Sequence, residues 1–251
     1  MKPEELSKLA ERAGLELRME EEGLTLTDGV LSVRADLSQD LKRLGSSELR
    51  RELLVRAALG RKAPRFPGLS PEAGSGQNEK GSSPLPEGLR PVAIDATAGL
   101  GEDSLLLAAA GYLVHLFEIN PLIAALLEDG LERAKRTPGL DGIAERMELH
   151  TGDSIKLMPM IEAPELILLD PMFPARKKSG LVKKKFQLLQ RLEQPCANEF
   201  ELLQAAVAAS PAKIIIKRPL RGPFLGGMKP SYSIEGSTIR YDCIVLQPRI
   251  S

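Results

Sequence analysis

From residue 91 onward, short apolar runs alternate with segments of helical periodicity, and this alternation constrains the fold more than any other feature of the sequence. A buried strand is predicted at 91–97, and further strands are predicted at 112–118, 147–153, 165–170 and 213–217. A hairpin that turns at Glu235-Gly236 follows them. Because strands that alternate with helices form a parallel sheet covered on both faces, we predict an α/β fold with a mainly parallel sheet and a C-terminal antiparallel hairpin.

The first 60 residues have a different pattern. We predict a helix over 1–13, an antiparallel meander over 15–37 that turns at Asp28-Gly29, and a helix over 47–60. Residues 1–60 are therefore predicted to form a small N-terminal α/β subdomain. Residues 61–89 contain five prolines, five glycines and four serines without apolar periodicity, which predicts a flexible linker to the main domain at 90–251.

Composition excludes several classes of protein. Lys plus Arg and Asp plus Glu both number 34, so no global basic excess points to nucleic acid. Cys196 and Cys243 form no CxxC pair, which argues against a disulfide scaffold or a zinc ribbon and favours a cytoplasmic location. The longest apolar stretch, 105–117, is too short to span a membrane. No metal-ligand spacing is present, and His115 and His150 are interpreted as core or edge histidines, so we predict neither a metal nor a membrane partner.

Three candidate ligand-binding elements follow successive predicted strands. A glycine-rich loop over 95–103 (DATAGLGED) joins the first strand to a helix, where Ala96, Gly99 and Gly101 let the backbone approach a ligand. Glu118 ends the second strand, at the place where an acid accepts hydrogen bonds from ribose hydroxyls. Asp153-Ser154 follows the third strand, where an adenine ring would lie. Each also has a structural alternative, namely a tight turn, a solvated carboxylate and a helix cap.

Residues 170–174 (DPMFP) follow the fourth predicted strand and combine an acid, a rigid turn and an aromatic ring. Enzymes that methylate exocyclic amines use such a layout at the ligand edge of the sheet. We predict that Asp170 and the Pro171 carbonyl accept hydrogen bonds from the amine and that Phe173 stacks on the base. The alternative is a proline-rich turn with Phe173 in the core. Because Trp is absent and aromatic residues are only 4% of the chain, a functional role for Phe173 is favoured.

Two basic runs without acids leave the same predicted edge of the sheet, at 171–192 and 213–230. Charge runs are usually solvated faces, but these lie where a nucleic-acid backbone would have to pass. We therefore predict salt-sensitive RNA binding through Arg176, Lys177, Lys178, Lys183, Lys184, Lys185, Lys217 and Arg218.

Together these motifs resemble the RsmJ-type 16S ribosomal RNA guanine-N(2) methyltransferases. The resemblance covers roughly 91–245 and is carried by DATAGLGED (95–103), EINPLIAALLEDGL (118–131), LDPMFP (169–174), KSGLVKK (178–184) and KRP (217–219). It implies a Rossmann-like class I fold and methyl transfer from S-adenosylmethionine (SAM) to the exocyclic amine of one guanosine. The implied partner is 16S rRNA or the small ribosomal subunit.

The resemblance also implies a set of cofactor-binding residues. At Glu102 and Ile119 the chain departs from the family pattern, in which Arg is common, so backbone contacts are expected there. Two alternatives stay open: a methyltransferase of the same loop type that acts on adenine or a protein amide, and a non-enzymatic RNA-binding protein. The full cofactor set is Asp95, Gly99, Gly101, Glu102, Asp103, Glu118, Ile119, Asp153, Ser154 and Asp170.

Overall fold

The structure is a computed structural model that describes residues 2–60, 90–161, 164–171, 188–189, 191–192 and 198–246. Within this part of the chain, seven strands form one sheet in the order β6-β5-β4-β7-β8-β10-β9, and three N-terminal strands form a second sheet. The strands of the large sheet are β4 (Val92–Asp95), β5 (Leu113–Glu118), β6 (Met147–Thr151), β7 (Leu166–Leu169), β8 (Lys213–Pro219), β9 (Tyr232–Glu235) and β10 (Ile239–Val245).

The pairing of the large sheet confirms the predicted α/β architecture. Strands β6, β5, β4, β7 and β8 run parallel, whereas β10 is antiparallel to both β8 and β9. Each of the five strands predicted from apolar runs is present, and the hairpin turns where it was expected. The chain leaves β4 toward β5 and later returns on the other side to β7, which opens a crevice at the carboxyl ends of these strands.

Helices cover both faces of the sheet. They are α4 (Glu102–Ala109), α5 (Pro121–Ala134), α6 (Asp141–Ala144), α7 (Ser154–Leu157) and α8 (Glu199–Ala208). Helix α5 begins where Asn120 Oδ1 accepts a hydrogen bond from the Leu122 N–H at 2.9 Å, with Pro121 in its first turn. One core cluster packs α4 residues such as Leu105 on the sheet, and another packs α8 residues such as Leu202 on the opposite face.

The N-terminal residues form α1 (Pro3–Arg12), β1 (Glu16–Glu20), β2 (Gly23–Thr27), β3 (Ser32–Val33), a 3-10 helix (Leu37–Arg43), α2 (Ser46–Leu49) and α3 (Leu53–Leu59). The helix predicted over 47–60 is wrong as one element, because it breaks between α2 and α3. Leu49 and Leu54 are both buried in one cluster. In a continuous helix, five residues of separation would place these side chains about 140° apart, so the break lets both reach the core.

Residues 2–60 pack closely on the large domain. Leu49 and Leu54 belong to the cluster that contains Leu105, and Leu26 shares a cluster with Leu126 of α5. The boundary predicted at residue 60 therefore separates two segments that share hydrophobic cores. The predicted linker at 61–89 lies outside the described residues. Among the described helices, none is long and apolar enough to cross a membrane.

Candidate active site

The glycine-rich loop between β4 and α4 adopts a conformation that requires glycine. Gly99 and Gly101 have φ angles of 54° and 82°, in the left-handed region. A Cβ at position 101 would also lie 2.7 Å from Leu127 Cδ1 of helix α5. The positive φ and the close approach to α5 both favour glycine at position 101, and the loop leads directly into the first turn of α4.

Asp95, the last residue of β4, stabilises this loop through hydrogen bonds. Its carboxylate is 2% exposed and accepts hydrogen bonds from the Thr97 N–H at 3.1 Å and the Ser104 hydroxyl at 2.5 Å. Burial raises the pKa of Asp95 to about 7, against the lowering effect of the Ser104 hydrogen bond. Both Asp95 carboxylate oxygens accept hydrogen bonds from the protein itself, so this side chain stabilises the loop.

Glu118, at the carboxyl end of β5, joins two loops. One carboxylate oxygen accepts from the Gly99 N–H at 3.0 Å and the other from the Asn120 N–H at 2.7 Å. Burial raises the pKa of Glu118, and these backbone donors oppose the shift. Because each carboxylate oxygen has a second lone pair, Glu118 can still accept hydrogen bonds from a ligand in the adjacent cleft.

A cleft of about 540 Å³ lies at the carboxyl ends of β4, β5, β6 and β7. Of the residues predicted to bind the cofactor, those that line it are Glu118, Ile119, Asp153, Ser154 and Asp170. Asp153 is also the cap of α7, since its Oδ1 accepts from the Ile155 N–H at 3.1 Å. Asp153 therefore has both predicted roles: it caps a helix, and it lines the cleft.

Other residues of the cleft wall were not predicted from the sequence. Thr97 belongs to the glycine-rich motif, and its hydroxyl accepts a hydrogen bond from the Asp170 N–H at 2.7 Å, which ties the ends of β4 and β7 together. Leu192, Asn198 and Leu202 come from segments distant in sequence, and no local pattern marked them. Leu192 and Leu202 add apolar surface to the cleft and Asn198 adds a polar amide, as in a site for a ligand with a flat ring and polar substituents.

Lys217 joins two acids of the site. Its ammonium lies 2.6 Å from Asp103 and 2.9 Å from Asp170, and its side chain is 25% exposed. Burial lowers the pKa of Lys217, but the two carboxylates outweigh it and raise the pKa above its usual value. Partial burial raises the pKa of Asp170, and Lys217 opposes that shift. The RNA contact predicted for Lys217 needs correction, because both carboxylates hold its ammonium within the site.

Arg218 also differs from its predicted role. Its side chain is 1% exposed, donates to the Pro223 carbonyl at 3.1 Å and pairs with Glu199 at 3.1 Å. A phosphate cannot reach a guanidinium buried in this way, so the predicted RNA contact of Arg218 is corrected to a structural role. Glu102 does not line the main cleft; it faces a small separate pocket with Arg34 and Gln39.

Part of the predicted site lies outside the described residues. Pro171 lines the cleft and is the last described residue of its loop. The predicted stacking residue Phe173 is outside the described part, as are the basic residues Arg176, Lys177, Lys178, Lys183, Lys184 and Lys185.

Comparison with known proteins gives consistent matches. A family model described as "Putative SAM-dependent methyltransferase" matches residues 72–246. A Pseudomonas aeruginosa protein named ribosomal RNA small subunit methyltransferase J is 49% identical over 171 residues, which are 67% of this chain and 66% of that protein. This chain thus covers just under two thirds of that relative's length. A Dechloromonas aromatica protein of the same name is 44% identical over 67% of this chain and 70% of its own length.

A solved structure extends the similarity to most of the chain. The crystal structure of a SAM-dependent methyltransferase from Neisseria gonorrhoeae matches with a TM-score of 0.65 and 27% sequence identity. The match covers 95% of this chain and 84% of that one, so it includes N-terminal residues as well as the large sheet.

Proposed function

This chain belongs to the SAM-dependent methyltransferase family and, within it, to the ribosomal RNA small subunit methyltransferase J proteins, and we propose that it methylates the exocyclic amine of a guanosine in 16S rRNA. The observation that carries the proposal is the cleft at the carboxyl ends of β4 to β7, which brings Glu118, Asp153 and Asp170 to one cavity. Open α/β sheets bind their ligands at this position. A ribosomal RNA substrate would also put the protein in the cytoplasm.

The residues of the cleft fit SAM. Glu118 would accept hydrogen bonds from the ribose hydroxyls, and the Asp153-Ser154 segment would face the adenine ring between the apolar side chains of Ile119 and Ile155. The acids near the glycine-rich loop suit a ligand that carries a sulfonium and an ammonium group. When bound, SAM supplies an activated methyl group on its sulfonium.

Asp170 and the Pro171 carbonyl would orient the guanine amine by accepting its hydrogen bonds. The Asp170 N–H is held by Thr97 and its carboxylate by Lys217, so the acceptor is positioned before the base arrives. Rate acceleration from such an arrangement comes from orientation and from charge placed where the transition state needs it. Phe173 would stack on the flipped base, a contact worth roughly 1–3 kcal/mol.

RNA binding is proposed to depend on basic side chains near this edge. Arg221 and Lys229 are exposed in the described part of the chain. Arg176, Lys177, Lys178, Lys183, Lys184 and Lys185 complete the proposed phosphate-contacting set. Because such contacts release counterions, binding should weaken as salt concentration rises, although the formal net charge of the chain is +0.

The test is methyl transfer to small ribosomal subunits from cells that lack this protein. We expect labelled methyl from SAM to appear as N2-methylguanosine in 16S rRNA, and Asp170→Asn to reduce the rate by roughly 100-fold or more. Asp141→Asn, which changes an exposed aspartate at the start of α6, is the matched control and should leave the rate unchanged. Methylated adenine or a methylated protein amide would contradict the guanine assignment, and RNA binding without methyl transfer would contradict an enzymatic function.

A further inference from the structure

The sequence contains only two histidines, His115 and His150, and the fold brings them together. They lie on the neighbouring parallel strands β5 and β6, where His115 Nδ1 is 2.9 Å from His150 Nε2. Glu148 is the direct register partner of His115 and lies two residues before His150, so all three side chains share one face of the sheet. This cluster is separate from the residues that line the SAM cleft.

The distances within the cluster are close to those of a metal site. One Glu148 carboxylate oxygen is 3.5 Å from His115 Nδ1, and the other is 3.6 Å from His150 Nε2. Ligand atoms about 2.0–2.1 Å from a tetrahedral Zn²⁺ lie ~3.4 Å from one another. The two Glu148 distances belong to different carboxylate oxygens, whereas one oxygen would bind the ion. One ligand atom from each residue lies within 4.8 Å of the others, so a small side-chain adjustment, including about half an ångström between the imidazole nitrogens, brings the three to this spacing.

The surroundings of the cluster also suit a cation. The His115 and His150 side chains are 21% and 27% exposed and Glu148 is 66% exposed, so an ion can enter from solvent. The Phe117 ring stacks on His150 with centroids 4.9 Å apart, which restricts the orientation of that imidazole.

We propose that His115, Glu148 and His150 form a binding site for a divalent ion of the zinc class. Two imidazoles and one carboxylate are a common Zn²⁺ ligand set, with water in the fourth position. On binding, the hydrogen bond between the imidazoles is lost, and the proton that bridges them moves to the other nitrogen of its own ring. This exchange between neutral rings releases no proton, since the donor ring keeps its proton on its other nitrogen.

The ion would fasten β5 to β6 beside the SAM cleft. Glu118 follows the cluster on β5, Asp153 follows it on β6, and Phe117 contacts both His150 and the cleft. The spacing of 33 to 35 residues between the ligands explains why the sequence predicted no metal site: the residues come together only through strand pairing. The cluster does not depend on the proposed RNA substrate.

The test uses untagged full-length protein that has been stripped of metal, with neither SAM nor RNA present. We expect calorimetric titration with zinc sulfate to show one equivalent bound per chain. The ¹H–¹⁵N imidazole resonances of both histidines should shift; the chain has only two histidines, so the His115→Gln and His150→Gln variants assign each signal. Bound zinc should also raise the melting temperature of the protein.

Variants distinguish zinc binding at this cluster from nonspecific zinc binding elsewhere on the protein. His115→Gln, His150→Gln and Glu148→Gln should each weaken zinc binding at least tenfold, whereas Glu145→Gln, an exposed acid before β6, should not. Glu148 is exposed, so its variant should keep the fold even if a histidine variant does not. The proposal is overturned if wild-type protein shows no saturable zinc binding, if binding survives in all three variants, or if the imidazole resonances stay in place.

Discussion

At the scale of single residues, the roles of several side chains depend on partners that are distant in sequence. The sequence predicted that Lys217 binds RNA, because it belongs to a basic run. Two carboxylates, Asp103 from α4 and Asp170 after β7, instead hold its ammonium within the site. Glu118 and Asp153, by contrast, were predicted to lie at the sheet edge, and they do, because the end of a strand determines where its last residues lie.

Lys217 is predicted to set the pH dependence of methyl transfer. The positive charge of Lys217 holds down the pKa of Asp170, which partial burial raises. In Lys217→Met the pKa of Asp170 should rise further, because the opposing positive charge is gone, so more of the carboxyl is protonated at neutral pH. The acid limb of kcat/KM against pH should therefore move to higher pH. Lys217→Arg keeps the charge and should retain a profile near that of the wild type.

A kcat/KM profile of Lys217→Met that overlays the wild-type profile would contradict this role. The measurement is informative because a substitution that only disturbed the structure would lower kcat/KM at every pH and leave the acid limb of the profile at the same pH.

Asp95 is predicted to make stability depend on pH. Its folded pKa of about 7 lies above its ordinary value of 3.8 because the carboxyl is buried. Between these values the folded state holds a proton that the unfolded chain has lost, so the free energy of unfolding falls as pH rises from about 4 to 7 and then levels off. Asp95→Asn cannot titrate and removes this contribution.

Urea unfolding at pH 5 and pH 8 tests this. The stability of wild type relative to Asp95→Asn should be roughly 3 kcal/mol greater at pH 5 than at pH 8. A stability difference that is the same at both pH values would show that Asp95 ionises normally in the folded protein.

At the scale of elements, strands were predicted better than helices. The central strands β4, β7 and β8 contain apolar runs that are buried on both faces of the sheet, which leaves them few alternatives. The region after β3 was harder, because the 3-10 helix Leu37–Arg43 and the break between α2 and α3 follow from packing on the large sheet. Local helix propensity carries no information about packing on the large sheet, so the sequence of residues 47–60 predicts a single helix.

Helix α5 lies close to the N-terminal residues at Gly130. A Cβ there would lie 2.7 Å from Ala35 Cβ and 2.8 Å from the Ala35 carbonyl oxygen, which belongs to the backbone and cannot easily move. Gly130→Ala should therefore destabilise the protein by about 1–3 kcal/mol, despite the helix propensity of alanine.

Gly142 in α6 is the matched control. No atom lies within 4 Å of a Cβ placed on Gly142, so Gly142→Ala should be neutral or stabilising by up to about 1 kcal/mol. Chemical denaturation of the two variants beside the wild type measures both effects. Equal effects of the two substitutions would contradict the close contact between α5 and Ala35.

At the scale of the whole molecule, the alternation of strands and helices was enough to predict the sheet, its covered faces and the edge that carries the cleft. It did not predict how residues 2–60 join the rest, because the contacts of Leu26, Leu49 and Leu54 with the large domain depend on tertiary packing. The same limit applies to His115 and His150, whose proximity comes from the pairing of β5 with β6.

The central claim is that the cleft binds SAM, and calorimetric titration of the purified protein with SAM and S-adenosylhomocysteine tests it most directly. We expect micromolar binding of both. Glu118→Ala should weaken that binding at least tenfold, since it removes the proposed ribose acceptor and the link to the Gly99 N–H. Glu128→Ala, at an exposed acid on α5, should bind like wild type. Absence of binding both for the protein alone and with small ribosomal subunits present would contradict the assignment of this cleft to SAM.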